Sequence, residues 1–145
     1  MTDLRPRSRI APLLVLLALV GLAISGYLLF VRLQGELPAC PIGGGCETVQ
    51  QSAYSEVLGI PVAGVGFVFS IVILVAGVVW WRMADRRALY VLYGLGLLAT
   101  IVVGYLTSLE LFVIHAICTW CVLYGTTVVI GWLLSILELR RSGSG

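Results

Sequence analysis

Four long apolar stretches run along the chain, and the charged residues are confined to the segments between them and to the two chain ends. The stretches comprise residues 10–31, 61–81, 88–107 and 111–137. A helix needs about 20 apolar residues to cross the hydrocarbon core of a bilayer, which is roughly 30 Å thick. Each stretch reaches that length. The pattern therefore predicts an all-α integral membrane protein, a bundle of four transmembrane helices within a single membrane domain at residues 1–141.

The segments between the stretches differ in length. The longest, residues 32–60, forms the predicted loop between the first two spans. Thr107 and Glu110 have the spacing of a capping box, which predicts the start of the fourth helix at this point. Residues 142–145 are expected to form a flexible tail. An N-terminal signal peptide is the alternative for the first span, but the apolar run exceeds the usual 7–15 residues.

Composition excludes several classes of protein. Hydrophobic residues make up 60% of the chain and charged residues only 11%, against 45–50% and about 25% in ordinary soluble domains. A soluble enzyme and a disordered tail are therefore excluded. The formal charge of +2 is small and the arginines are dispersed, so the chain lacks the basic stripe of a nucleic-acid binder.

The arginines predict the orientation of the bundle. All nine basic residues are arginines, and eight of them fall on one side. Arg32 alone falls on the other side. Because positively charged segments stay in the cytoplasm, both termini are predicted to be cytoplasmic and loop 32–60 extracytoplasmic. The eight are Arg5, Arg7, Arg9, Arg82, Arg86, Arg87, Arg140 and Arg141.

All four cysteines map to the extracytoplasmic side. Cys40 and Cys46 lie in the long loop, and Cys118 and Cys121 form a CxxC motif in the fourth span. If the arginines hold the cytoplasmic end of that span, about 20 residues of helix place Cys118 some 30 Å away, at the outer edge of the hydrocarbon. One pair is therefore predicted to be exposed to water and the other to lie at the lipid boundary.

This placement favours thiol–disulfide exchange. Disulfides persist outside the cytoplasm, and a CxxC motif often lowers the pKa of one thiol. Three glycines, at positions 43–45, allow the loop between Cys40 and Cys46 to bend. Two such pairs can relay electrons by disulfide exchange. The alternatives are a non-enzymatic membrane scaffold braced by inert disulfides and a zinc or metal-transport site of four thiolates.

Other ionisable residues lie near the CxxC motif. His115 precedes Cys118 by three residues, which on a helix places both on one face. Its imidazole could stabilise a thiolate or transfer a proton, or it could face water above the bilayer. Glu47, Glu56 and Glu110 are expected to be solvated or helix-capping.

The arrangement of these motifs resembles the vitamin K epoxide reductase family, and in particular its bacterial members. The resemblance covers four spans, a cysteine pair in the first outer loop and CxxC on the last span. Ser52 lies six residues after Cys46, where the family carries a functional Ser or Thr. The segment GIPVAGVG at residues 59–66 is similar to the bacterial motif that opens the second span. The cysteine order is the reverse of that in the B protein of the Dsb system.

The resemblance implies a quinone pocket near Cys121, inside the four-helix bundle. Cys40 would exchange with a reduced thioredoxin-like protein, Cys46 would pass the electrons to Cys118, and Cys121 would deliver them to the quinone. Menaquinone or ubiquinone would be the acceptor, with no metal. Ser52 would order the short helix that covers the pocket or donate a hydrogen bond there, or it would be a simple capping residue. The quinone pocket is expected to include Cys121, Val62, His115 and Tyr124.

Two departures from the family pattern qualify the comparison. Many bacterial members carry a fused thioredoxin-like domain, which this sequence lacks, so its partner is expected to be a separate protein. Tyr124 lies one position earlier than the tyrosine of the animal family members, which puts a quinone contact by Tyr124 in doubt. The expected location is a bacterial cytoplasmic membrane.

Overall fold

Four long helices and one short helix make up almost all of the structure. This computed structural model describes residues 9–41 and 45–143. The short helix lies in the loop after the first long helix. The predicted all-α bundle with a short helix in its first loop is therefore confirmed. The helices are α1 (Ile10–Leu33), α2 (Gly45–Gln51), α3 (Val62–Met83), α4 (Arg86–Leu109) and α5 (Thr119–Gly143).

The long helices have the length and apolarity of membrane spans. Their mean hydropathies lie between 1.8 and 2.7. Large apolar side chains cover the outside of the bundle: Leu16, Val68 and Ile101 are each more than half exposed. Lipid tails accept such a surface, whereas water would not. The chain is a multi-pass membrane protein.

The helices alternate in direction and pack in a ring, α1 against α3, α3 against α4, α4 against α5, and α5 against α1. At one end, which we call the arginine end, α1 and α4 begin and α3 and α5 finish. Its core is built from Leu14, Trp80, Leu89 and Leu92. A two-residue turn joins α3 to α4, and the carboxylate of Asp85 caps α4. The other end, the cysteine end, carries α2 and all four cysteines.

The loop from α2 to α3 is short and ordered by backbone pairing. A 3₁₀ turn at Ala53–Ser55 follows α2. Two antiparallel strands come next, β1 (Glu56–Val57) and β2 (Ile60–Pro61), with Val57 opposite Ile60. Gly59 has a φ of +82° in the turn between them, a conformation that glycine adopts without steric cost.

The predicted boundary between the third and fourth spans is wrong. Helix α4 passes through Thr107 and continues into a π-helical turn at Glu110–Ile114. His115, with a φ of +57°, ends that turn. Helix α5 begins only at Thr119, so the fourth span does not start at residue 111 and the capping box is not a helix start. The added turn of α4 places Glu110 inside the bundle.

Some sequence predictions concern the chain ends and the glycine loop. Helix α5 continues to Gly143 and so includes Ser142 and Gly143, the first two residues of the expected tail. Other predictions fall on residues outside those that the structure describes. These are Arg5, Arg7, Gly43, Gly44, Ser144 and Gly145.

Candidate active site

The loop cysteines are joined to each other, and the CxxC cysteines are free thiols. A disulfide links Cys40 to Cys46, whose Cα atoms lie 5.5 Å apart. Cys118 and Cys121 are both reduced. The cysteine end therefore contains one oxidised pair and one reduced pair.

The two pairs meet in a buried cluster. Cys46 on α2 and Cys118 before α5 are both fully buried, and Val49 packs with them. Cys40 and Cys121 lie against the same cluster. Since the buried sulfurs come from both pairs, the disulfide and the dithiol pack against each other.

Glycine at position 45 is required for this contact. A Cβ atom built at Gly45 would clash with the backbone of Ile117, one residue before Cys118. A larger residue would push the start of α2 away from the segment that carries Cys118. The close approach of the two backbones thus follows from the last glycine of the loop.

Two donors stabilise the Cys118 thiolate. The Cys121 thiol hydrogen-bonds to the Cys118 sulfur, and the backbone N–H of Cys121 donates to it at 3.4 Å. These bonds outweigh burial and lower the pKa of Cys118 to about 7. The thiolate is the attacking species in disulfide exchange, and a pKa near neutral favours this form of Cys118.

A cavity of about 270 Å³ adjoins the CxxC motif. It lies among α1, α3, α4 and α5, beneath α2, and most of its lining is apolar. Its volume is close to the lower end of the range for small-molecule sites. Four of the residues predicted for the site line this cavity: Ser52, Val62, Cys121 and Tyr124.

Ser52 and Tyr124 each have a defined partner. The Ser52 hydroxyl donates to the carbonyl of Val49 at 2.7 Å and so caps the end of α2. The Tyr124 hydroxyl donates to the carbonyl of Gly66 at 3.1 Å and lies 3.2 Å from the Ser70 hydroxyl. Ser52 therefore orders the covering helix, and Tyr124 ties α5 to α3 at the cavity wall.

His115 does not occupy the predicted position. The expected shared face with Cys118 assumed a continuous helix, but the chain is non-helical between His115 and Cys118. His115 is exposed and is not among the residues lining the cavity. The expectation that imidazole and thiol share a helix face is therefore wrong.

Glu110 was missed as a site residue by the sequence interpretation. It is only 5% exposed, so the expectation of a solvated carboxylate is wrong. Its carboxylate accepts the backbone N–H of Cys118 at 3.3 Å and interacts with the neighbouring Cys121 thiol. It also lines the cavity. The available signal was a single carboxylate within apolar sequence at membrane depth, which marks a functional candidate.

Gln50 is a second residue that the sequence interpretation missed. Its side-chain amide points to Cys121, with 4.0 Å between Nε2 and Sγ. Gln50 lies on α2 and also lines the cavity. Helix α2 thus supplies both a sulfur to the buried cluster and a polar group to the free thiol.

Arg32 fastens the covering helix to the end of α1. Its guanidinium donates to the carbonyl of Gln50 at the end of α2, and to the Ser55 hydroxyl at 3.2 Å. It also forms an ion pair with Glu56 at 2.6 Å. The Arg32 guanidinium therefore contacts the end of α2 and the segment that follows it at three points.

Trp120 fastens the other side of the loop. Its indole N–H donates to the carbonyl of Ala39 at 2.8 Å, and its ring lies 5.1 Å from that of Tyr27. Thr119 contacts Cys40 as well, with 3.6 Å between Oγ1 and Sγ. The first turn of α5 thus holds the chain just before the disulfide.

The described residues offer no metal site. Among residues 9–41 and 45–143, no three or more His, Cys, Asp or Glu side chains are grouped so as to hold a metal ion. A zinc site of four thiolates would need all four cysteines reduced, whereas Cys40 and Cys46 form a disulfide.

A membrane bundle that holds a disulfide against a free dithiol belongs to the class of membrane thiol oxidoreductases. Comparison with known families gives the narrower assignment. Residues 12–136 match the model of the vitamin K epoxide reductase family. The match covers nearly the whole chain, and the chain belongs to this family of membrane oxidoreductases.

Proposed function

We propose that the protein is a thiol:quinone oxidoreductase that generates disulfides. Electrons pass from a reduced thioredoxin-like protein to the loop pair, then to the CxxC pair, and finally to a membrane quinone. The main support is the position of Cys121, a free thiol that both belongs to the sulfur cluster and lines the cavity. A disulfide that only braced the loop would require no cavity beside the thiol.

The first half of the cycle transfers two electrons into the bundle. A partner thiolate attacks Cys40, and the Cys40–Cys46 bond breaks. The second thiol of the partner then attacks the mixed disulfide, so that the partner leaves as a disulfide and Cys40 becomes a thiolate. The Cys46 thiolate then attacks Cys118 of an oxidised CxxC pair, and Cys121 leaves as a thiolate. Cys40 attacks Cys46, which reforms the loop disulfide and frees Cys118. The result has the same pairing as the structure, with an oxidised loop and a reduced CxxC.

The second half delivers those electrons to the quinone. Cys121 donates to the quinone ring, and Cys118 attacks Cys121 to form the Cys118–Cys121 disulfide. The quinone gains two electrons and two protons and leaves as the hydroquinone. The lowered pKa of Cys118 supports this closing attack, since the thiolate is available near neutral pH.

The acceptor in this scheme is lipid-soluble, menaquinone or ubiquinone. Val65 on α3 and Val102 on α4 both line the cavity, and both are also about half exposed on the outer surface of the bundle. The cavity therefore reaches the lipid-facing side between these helices. A quinone ring could enter there while its isoprenoid tail stays in the bilayer.

The proposed location is a bacterial cytoplasmic membrane, with the cysteine end extracytoplasmic. The arginines at the other end favour the cytoplasm by the positive-inside rule. Cys40 is partly exposed, whereas Cys46 and Cys118 are fully buried. Within the loop pair, Cys40 is therefore the sulfur open to a thioredoxin-like partner.

Quinone reduction by the purified protein in detergent, with dithiothreitol as donor, tests the proposal. We expect Cys121→Ala to abolish turnover. Cys40→Ala is the matched control: it should retain turnover with dithiothreitol and lose it with a reduced thioredoxin-like protein. A folded, fully reduced wild-type protein that fails to reduce quinone would contradict the proposed reaction. Full partner-driven turnover by Cys40→Ala would contradict the order of the relay.

A further inference from the structure

We propose that Glu110 is a catalytic residue of the quinone step, taking the proton of the Cys121 thiol and passing it to the quinone. This inference rests on the proposed function, because it assigns the path of one proton within that reaction. It is carried by the position of the carboxylate between the reacting thiol and the cavity.

Glu110 lies beside the reacting atoms. Its carboxylate accepts the N–H of Cys118 at 3.3 Å and interacts with the neighbouring Cys121 thiol. The side chain is 5% exposed and lines the cavity together with Cys121. A general base must lie within hydrogen-bonding reach of the proton that it removes, and Glu110 meets this condition.

The backbone explains how a charged residue reaches this position. Glu110 begins the π-helical turn that extends α4, and its carbonyl accepts the N–H of Ala116 at 3.1 Å. The chain then turns through the left-handed conformation of His115 and passes back under the carboxylate to Cys118. π-Helical turns are frequent at functional sites because they redirect side chains.

Cys118 is the competing proton acceptor, since its sulfur also hydrogen-bonds the Cys121 thiol. If Cys118 took the proton, it would become a thiol and lose the nucleophilicity needed to close the disulfide. Transfer to Glu110 leaves Cys118 as a thiolate. The two partners of Cys121 thereby have separate roles, one as base and one as nucleophile.

Among the described residues that line the cavity, no cation offsets the Glu110 charge. Besides Glu110, the titratable side chains that line the cavity are Tyr54 from the loop after α2, and Cys121 and Tyr124 from α5. Among the described residues no arginine, histidine or second carboxylate joins them. A carboxylate in apolar surroundings without a counter-ion is costly, and accepting a proton removes that cost.

The step balances as follows. The Cys121 S–H bond breaks, the proton moves to the Glu110 carboxylate, and the Cys121 sulfur donates its electron pair to the quinone. Cys118 then attacks Cys121, and the S–S bond takes the place of the bond between Cys121 and the ring. Glu110 gives its proton to one quinone oxygen, and the second proton comes from water. One dithiol is oxidised and one quinone becomes a hydroquinone.

The test is a single turnover of the fully reduced protein with a short-chain ubiquinone or menaquinone, followed by stopped-flow absorbance from pH 5.5 to 9. We compare the wild type with Glu110→Gln, whose amide oxygen can still accept the Cys118 N–H. We expect a rate about 10²–10⁴-fold lower at pH 7, the usual contribution of a general base. The variant rate should rise steeply with pH, because hydroxide must then remove the proton, while the wild-type rate changes less.

Several controls separate the possible failures. Glu36→Gln removes an exposed carboxylate at the same end and should react like the wild type. If the wild type itself fails to reduce quinone, the proposed function is wrong. If the wild type reacts and Glu110→Gln reacts within threefold of it, with a parallel pH profile, the role of Glu110 as base is wrong.

A second measurement keeps the inference testable if Glu110→Gln does not fold. In Cys118→Ala, where the closing attack cannot occur, quinone should cause Glu110 to gain the Cys121 proton. We expect a protonated-carboxyl band in the infrared difference spectrum on addition of the short-chain quinone. If quinone absorbance is lost because an adduct forms at the Cys121 sulfur, but no such band appears, the role of Glu110 as the base is wrong.

Discussion

The two ends of the bundle solve the same problem of connecting helices in different ways. At the arginine end, a two-residue turn joins α3 to α4, and a capping carboxylate on Asp85 satisfies the Arg87 N–H at 3.0 Å. At the cysteine end, the connections contain a short helix, a strand pair, a π-helical turn and a left-handed His115. One end has a single tight connection between helices, and the other has irregular connections.

The irregular connections lie at the end of the bundle that carries the reactive cysteines. Two of the irregular elements at the cysteine end bring a polar or sulfur atom to the CxxC motif. Helix α2 carries Cys46 and Gln50, and the π-helical turn carries Glu110. The buried core of the arginine end, around Leu89 and Trp80, has no such group. We therefore expect substitutions at the two ends to have separable effects on turnover and on stability.

The largest effects should come from substituting two fully buried residues, one at each end of the bundle. Cys118→Ala should abolish quinone reduction, because no closing disulfide can form, with little change in Tm. Leu89→Ala should leave turnover per folded molecule unchanged and cost about 2–5 kcal/mol of stability. Assays of activity and Tm in detergent check both. A Cys118→Ala protein with substantial turnover would contradict the separation.

The next effect concerns the charge on Cys118. Since its pKa is lowered to about 7, the thiolate should be present above pH 7 and disappear as the pH falls below it. Cys121→Ala removes the main donor, so the pKa should rise toward 9.0 and the thiolate fraction at acidic pH should fall by up to about 100-fold. Thiolate absorbance near 240 nm, with Cys118→Ala as the blank, measures this. Superimposable curves for the wild type and Cys121→Ala would contradict the stated cause.

A smaller effect is expected when the fastening of α2 is weakened. Arg32→Gln removes the ion pair to Glu56 and the charged donor to the Gln50 carbonyl. Because such bonds are partly exposed, we expect a loss of about 1.4 kcal/mol, which is about tenfold faster amide exchange in α2. Hydrogen-exchange mass spectrometry of residues 45–57 measures it. Arg82→Gln, at the arginine end, is the control and should exchange like the wild type; equal exchange in both variants would show that Arg32 does not hold α2.

The smallest effect should come from the cap of α4. Asp85→Ala removes the acceptor of the Arg87 N–H and should lower stability by about 1 kcal/mol. Asp85→Asn should preserve the cap and stability. Neither change should alter quinone reduction, because Asp85 lies at the end opposite the cysteines. A loss of turnover in Asp85→Ala at unchanged Tm would show that the two ends are coupled. It would contradict the expected separation of their effects on turnover and stability.

The regular part of the fold could be predicted from the sequence. Runs of apolar residues long enough to cross a bilayer identify the four spans, and the spacing of cysteines identifies the two sulfur pairs. The ends of α1 and α3 also fall close to the predicted limits, because Arg32 and Arg82 interrupt the apolar pattern there.

The irregular part could not be predicted in the same way. No glycine or proline lies between Tyr105 and Tyr124, so nothing in the pattern marks the break at His115. A Thr-x-x-Glu sequence can cap the start of a helix or lie within a helix, and the residue types alone do not distinguish the two cases. Glu110 was therefore assigned to a helix start, although it lies inside the bundle. The contact between Gly45 and Ile117 is a tertiary feature and has no local signature.

The proposed relay requires Cys46 and Cys118 to form a mixed disulfide across the buried cluster. Trapping this disulfide is the decisive measurement. Cys40→Ala/Cys121→Ala leaves only Cys46 and Cys118, and Cys46→Ala/Cys121→Ala leaves only Cys40 and Cys118. After brief oxidation with diamide, mass spectrometry should find the Cys46–Cys118 disulfide in the first variant and little cross-linking in the second. A Cys40–Cys118 disulfide that forms in preference to the Cys46–Cys118 disulfide would contradict the relay.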